Sequence, residues 1–356
     1  MIGLTLIKNK TFKLKDNKLK KLSKNDCRIE IISSGICASD IPRAFENMAY
    51  KYPLILGHEF MGKIINIGSK VTKFSVGDLV SAFPLIPCSI SNKQNHCTYC
   101  NNEKYNLCDD YSYYGSRANG SFTELMDVNE WNLFKISKRL PKNHGAIMEP
   151  VAVSFNIINA IKNYLISKQK ILIIGSGFLG QVLCRILKKK SKNFEIFSID
   201  RNDFKLELNK RYNNETFLFK KKNNNNLLKK YLDKKFDIVI ETSGHNMNFY
   251  NAITFAKKEG LVIYSGNIND TLVFKKEETS NILRKQLKLK GVWNSSFKSK
   301  VDNWKEAHTF LIKNDLSDLI THQVNLEKGS LLMKNIYDMK KGKKKNTYLK
   351  GLITSK

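Results

Sequence analysis

The sequence predicts an α/β protein in two parts, a β-rich first 150 residues followed by a doubly wound parallel-sheet region. Three observations point there. Short runs in which apolar and polar residues alternate fill the first part, glycines punctuate them, and after Gly145 the texture changes to alternating apolar strands and helices. In order, 27–33 and 61–67 alternate as half-buried strands do, and 78–83 is a short apolar run. Gly35, Gly57, Gly62, Gly68, Gly77, Gly115 and Gly120 break the runs into turns. Residues 146–161 then read as a helix, and strands are expected at 170–174, 195–199, 236–240, 261–265 and 287–293. Strand–helix alternation at this spacing implies a parallel sheet covered on both faces. The Asn- and Lys-rich segment 220–230 reads as a polar helix or loop inside this region, and 347–354 as a final strand.

At 356 residues the chain exceeds what one core usually organises, so two domains are expected. With 42% hydrophobic residues it can bury those cores, which excludes a disordered or collagen-like chain. No apolar stretch is long enough for a bilayer span and no basic leader opens the chain, so the expectation is a cytoplasmic protein with no membrane partner. Against 32 acidic residues stand 61 basic ones, a net charge of +29. Only eight of the basic residues are arginine, the side chain that nucleic-acid readers favour, and the lysines are spread along the chain. That distribution reads as solvated lysine faces. A basic zinc knuckle contacting nucleic acid is the remote alternative, and it is poorly served by a cysteine window whose only lysines are Lys93 and Lys104 and whose only aromatic rings are Tyr99 and Tyr105.

Gly175-Ser176-Gly177-Phe178-Leu179-Gly180 directly follows the strand expected at 170–174, and a helix follows it. In that setting Gly175 permits the tight turn, Gly177 lets the backbone approach a pyrophosphate, and Gly180 lets the helix pack on the sheet. The exposed N–H groups of Phe178 and Leu179 begin the helix on which the phosphates would rest. Twenty residues on, Asp200 ends the next strand, where a carboxylate accepts both ribose hydroxyls and repels a 2′-phosphate, favouring NAD; Arg201 beside it is the residue that would accommodate such a phosphate. This is the Rossmann arrangement.

Seven cysteines are an odd number for disulfides. Cys88, Cys97, Cys100 and Cys108 have the character of a closed tetrathiolate zinc site, with scattered free thiols as the alternative. A dispersed set, Cys37, His58 and Glu149, offers a thiolate, an imidazole and a carboxylate, leaving the open fourth position a catalytic zinc needs. Asp40 is a candidate to orient a ligand. Taken singly, His58 and Glu149 read equally well as structural residues.

These motifs, in this order, resemble the zinc-dependent medium-chain alcohol and polyol dehydrogenases from about Asp26 to Trp293 and more thinly beyond. Ser33 to Arg43, Tyr52 to Phe60, Pro84 to Cys88, Gly115-Ser116-Arg117 and Ile282 to Lys285 carry a likeness to members that act on polyol phosphates. The resemblance implies a GroES-like β catalytic domain over 1–151, with a structural zinc lobe at 86–110, a Rossmann NAD-binding domain over 152–295, and a return to the catalytic domain over 296–356. It implies zinc and NAD as cofactors, catalytic zinc on Cys37, His58 and Glu149 with Glu59 as an exchangeable carboxylate, and a homo-oligomer, dimer or tetramer. It also implies Ser39 as the acceptor of the substrate hydroxyl proton. If the substrate is a polyol phosphate, Arg43 and Arg117 are candidates for its phosphate, with surface ion pairs as the alternative. The expected activity is oxidation of a secondary hydroxyl of a polyol or polyol phosphate, with L-iditol (sorbitol) or threonine oxidation as alternatives. Two departures stand out. Eight residues, not the usual two, separate Cys88 from Cys97, and Pro42 stands where many members carry a proton-passing histidine.

Overall fold

The strand Asp26–Ile36 is the axis of the first unit, and its alternation buries Cys27, Ile29 and Ile31 on one face. In this computed structural model, which describes residues 1–91, 96–191, 193–219, 230–268 and 270–355, one compact unit comprises Met1–Ala152 with Ser295–Lys356 and the other Val153–Asn294. On one side Asp26–Ile36 pairs antiparallel with Glu59–Ile67, which continues through Leu79–Ala82 to Leu133–Lys135. On the other side lies Lys350–Thr354, antiparallel to it and parallel to Ile320–Asn325. The final strand is thus shorter than the 347–354 expected, beginning only where its backbone enters the sheet.

The sequence reading missed a hairpin of Ile2–Lys8 and Thr11–Asp16, which joins Leu54–Ile55 in a three-stranded sheet. Thr11–Asp16 lies against solvent and alternates with lysines, so it carries almost no burial signal; Leu4 and Leu6 of its partner are buried with Phe45, Leu54, Met333 and Ile353. A separate cluster gathers Cys27, Ile29, Phe60, Val80 and Val128. Each such fully buried side chain contributes roughly 1.5–3 kcal/mol.

The second unit is a six-stranded, wholly parallel sheet in the order Glu215–Leu218, Glu195–Asp200, Lys170–Ile174, Phe236–Glu241, Ala256–Tyr264, Lys288–Gly291. By chain order this is 3-2-1-4-5-6, the Rossmann arrangement. Glu215–Leu218 was not expected, because its four residues bury fully only Phe217. The polar helix or loop read over 220–230 lies, but for Lys230, outside the described residues. Lys285 is buried and donates to the carbonyls of Ile253, Thr254 and Ala256, neutralising the C-terminal end of the helix Asn246–Phe255. No helix among the described residues is long and apolar enough to cross a membrane.

Candidate active and metal sites

Cys37 follows the axial strand, and Asp40 opens the short helix Asp40–Phe45. Gly57, at φ +93°, turns the chain so that His58 and Glu59 enter the neighbouring strand; a Cβ there would also strike the Phe122 ring. Because Gly35 and Glu59 are cross-strand partners, Cys37, His58 and Glu59 meet at one end of the sheet. One donor atom from each lies within 4.8 Å of the others. His58, Glu59 and Asp40 are 4%, 1% and 0% exposed.

Asp40 Oδ2 accepts from the Cys37 backbone N–H at 2.9 Å, while its Oδ1 stands 3.6 Å from His58 Nδ1. The Tyr113 ring packs edge-on against His58. His58 Nδ1 is buried without a hydrogen-bonding partner, which suits an atom placed to serve a cation or to orient its ligand. A tetrahedral zinc bonded at about 2.0–2.3 Å needs ligand atoms separated by about 3–4 Å, so this donor set fits it. Burial raises the Cys37 thiol to about 11, with the charges of Glu59 and Asp40 adding to the effect.

Glu149, in the first turn of the helix Met148–Ile161, is buried and lies outside the group of three. Burial pushes its carboxyl up to about 8; Glu59 and Cys37 push the same way, and His58 and Lys350 oppose them. Ser39 Oγ accepts from the Arg43 guanidinium at 2.7 Å, and that same group lies 3.8 Å from Asp40 Oδ1. The Arg117 guanidinium lies over the Tyr50 and Tyr111 rings, 4.6 and 4.3 Å from their centroids, and Tyr111 in turn packs on Tyr113. The sequence reading missed Tyr113 and Lys350. Lys350 is buried and ion-paired with Glu59, and no sequence signal marks it, since its strand arrives from the far end of the chain.

The four cysteines of the lobe also converge, with all four sulfurs within 4.8 Å of one another. Cys88 and Cys100 sulfurs are 3.5 Å apart and Cys97 and Cys108 sulfurs 3.9 Å, near the ~3.8 Å edge of a zinc tetrathiolate with 2.3 Å bonds. Backbone N–H groups of Cys88, Cys97 and Cys100 point at the sulfurs of Cys108, Cys88 and Cys97. Against the burial that raises the Cys97 thiol, the N–H groups of Asp109 and Cys100 bring it down to about 7. The cysteines are free rather than disulfide-bonded. His96 is exposed and takes no part in the group; residues 92–95 of the lengthened loop lie outside the described residues.

In the second unit Gly175 sits at φ +99°, and a Cβ on Gly180 would fall on the Gly175 carbonyl oxygen. A Cβ on Gly177 would meet nothing within 4 Å, and Gly177, at the N-cap of the helix Phe178–Lys190, brings no side chain to the turn. That open cradle fits a dinucleotide pyrophosphate. Asp200 Oδ2 accepts from Ser176 N–H at 2.7 Å, tying the acid at the end of the second strand to the glycine turn. Phe178 is buried and Arg201 exposed.

A family model for the alcohol dehydrogenase GroES-like domain matches residues 23–138, and one for zinc-binding dehydrogenases matches residues 179–313. Galactitol 1-phosphate 5-dehydrogenase of Escherichia coli (strain K12) is 30% identical over 323 residues, 88% of this chain and 89% of that protein. L-threonine 3-dehydrogenase of Shewanella frigidimarina is 24% identical over 314 residues, 86% and 87% of the two chains. The crystal structure of galactitol-1-phosphate dehydrogenase from Escherichia coli superposes with a TM-score of 0.86 at 26% identity, covering 99% of this chain and 100% of that one. With its GroES-like β domain and its Rossmann sheet, this chain belongs to the zinc-binding alcohol and polyol dehydrogenases.

Proposed function

We propose that this protein oxidises a secondary hydroxyl of a polyol phosphate to a ketone, with NAD and zinc as cofactors. The observation that carries the reading is the convergence of Cys37, His58 and Glu59 on one buried point. Those three residues would hold the catalytic zinc, Cys88, Cys97, Cys100 and Cys108 a structural one, and Gly175 to Gly180 the NAD pyrophosphate. When bound, zinc supplies a Lewis acid and NAD the hydride acceptor.

The chain's own groups do the rest. Asp40 fixes the Cys37 backbone and faces His58 Nδ1, holding the imidazole in orientation. Arg43 donates to Ser39 Oγ and occupies one of its lone pairs. The other lone pair is left to accept the substrate's hydroxyl proton as Ser39 passes its own to water, Pro42 offering no further carrier. Asp200 would take the ribose hydroxyls, with Arg201 turned to solvent. Arg117, its guanidinium lying over the Tyr50 and Tyr111 rings, would offer paired N–H donors to a phosphate, which suits bidentate anion recognition.

The test is NADH formation on a panel of galactitol 1-phosphate, sorbitol and threonine, with Cys37→Ser as control. Turnover is expected on the phosphorylated polyol, together with an inactive Cys37→Ser enzyme lacking one of its two zinc ions. Equal rates on sorbitol would refute phosphate recognition, and an unimpaired Cys37→Ser enzyme would refute the metal assignment.

A further inference from the structure

Three neighbouring strands, Glu59–Ile67, Asp26–Ile36 and Lys350–Thr354, end side by side at the metal-donor cluster. Glu59 is opposite Gly35 on one side of the central strand, and Gly351 is opposite Ile36 on the other. Glu59 and Lys350 therefore flank the central strand, and their side chains meet across it as an ion pair between Glu59 Oε2 and Lys350 Nζ. They can meet because residue 35 has no side chain: a Cβ there would collide with Glu59 Oε2 and stand 2.9 Å from the Ala146 carbonyl oxygen. Lys350 Nζ is also anchored on the Ile36 carbonyl at 3.3 Å, one residue before Cys37. Lysine and glutamate are 3% and 1% exposed, so neither end of the pair is held by solvent.

We propose that Lys350 is a positioning residue that commits one oxygen of Glu59 to the ion pair and leaves the carboxylate a single oxygen for zinc. This rests on the zinc reading above. A free carboxylate beside zinc can engage it through both oxygens, as carboxylates do with metals of flexible coordination number, and zinc readily accepts a fifth ligand. Capturing Oε2 prevents that and preserves the open position a substrate oxygen must take. A lysine suits the task, since its compact ammonium on a flexible stem can satisfy Oε2 and the Ile36 carbonyl together.

The test replaces zinc by cobalt(II) in wild type, Lys350→Met and Lys350→Arg, and reads the visible absorption of each as a difference from wild type; the four-cysteine lobe, common to all three, cancels. Four-coordinate cobalt absorbs several-fold more strongly than five-coordinate cobalt. The expected result is loss of at least half of the catalytic-site band in Lys350→Met and its retention in Lys350→Arg, accompanied by a KM at least tenfold higher in the zinc-loaded Lys350→Met enzyme. An unchanged band in Lys350→Met overturns the proposal. If the methionine variant does not fold, Lys350→Gln gives the same reading, with the same outcomes. A wild-type protein whose metal content is unchanged by Cys37→Ser refutes the zinc reading itself, a result distinguishable from failure of the lysine assignment alone.

Discussion

Removing the metal should make the folded protein less stable as pH rises, and Glu149 should be responsible. Its carboxyl has an ordinary value of 4.5 and is raised to about 8 in the metal-free fold, first by burial and then by Glu59 and Cys37. Because the folded value lies above the unfolded one, the native chain binds the extra proton between pH 4.5 and about 8. Stability from this group is therefore full below pH 4.5 and declines through that window as pH rises. The slope reaches about 1.4 kcal/mol per pH unit for one proton, so moving from pH 5.5 to 7.5 should cost at most about 2–3 kcal/mol. The assay is urea denaturation of chelator-treated protein at both pH values, comparing wild type with Glu149→Gln, which keeps the shape and removes the titration. Other groups titrate in both proteins and cancel in the comparison. Wild type should lose about 2–3 kcal/mol more than the variant, and reloading zinc should flatten the difference, since a neighbouring cation favours the carboxylate. Two proteins whose pH dependences run parallel would refute the reasoning.

Gly177→Ala should leave the urea midpoint unchanged, because its Cβ meets nothing within 4 Å, yet weaken NAD binding at least tenfold, about 1.4 kcal/mol, by calorimetry; unchanged affinity would show that the cofactor does not approach this turn. Asp200→Ala should raise the preference for NADP relative to NAD by roughly tenfold or more in steady-state kinetics, since a like-charge repulsion is removed, and an unaltered ratio would remove Asp200 from the ribose site. Cys97→Ser should release one zinc ion, measured by metal analysis, and lower the melting temperature while the ion at Cys37 stays bound; loss of both ions together would contradict two independent sites.

Much of this fold is legible in the sequence because the relevant signals are local. The strand Lys170–Ile174, its glycine turn and the helix after it are adjacent in the chain, and the buried strands on either side are short continuous apolar runs. The strands that escaped are those whose burial is small. Thr11–Asp16 buries no residue fully, and Glu215–Leu218 buries one, so both owe their place to backbone pairing with better-marked neighbours, Ile2–Lys8 and Glu195–Asp200. Phe12 and Leu14 do alternate with Lys13 and Lys15, but the run is short and largely exposed, and four residues at 215–218 are too few to show a period.

The site divides along the same line. Cys37, His58 and the four lobe cysteines stand out in the sequence because thiols and imidazoles are rare and are strong metal donors. The choice between Glu59 and Glu149 was not visible, since both are glutamates beside plausible partners and only register decides which reaches the donors. The antiparallel pairing of Gly35 with Glu59 brings that carboxylate within 4.8 Å of the Cys37 and His58 donor atoms, while the helix carrying Glu149 leaves it buried nearby but outside the group. The same register gives Gly35 a purpose that a turn-former's reading misses. It lies inside a strand, where glycine is ordinarily a cost, and what it provides is the space in which a carboxylate from one neighbouring strand meets an ammonium from the other. A side chain at 35 would force Glu59 off Lys350 and shift it relative to His58 together, so the cluster's geometry depends on an atom that the sequence omits.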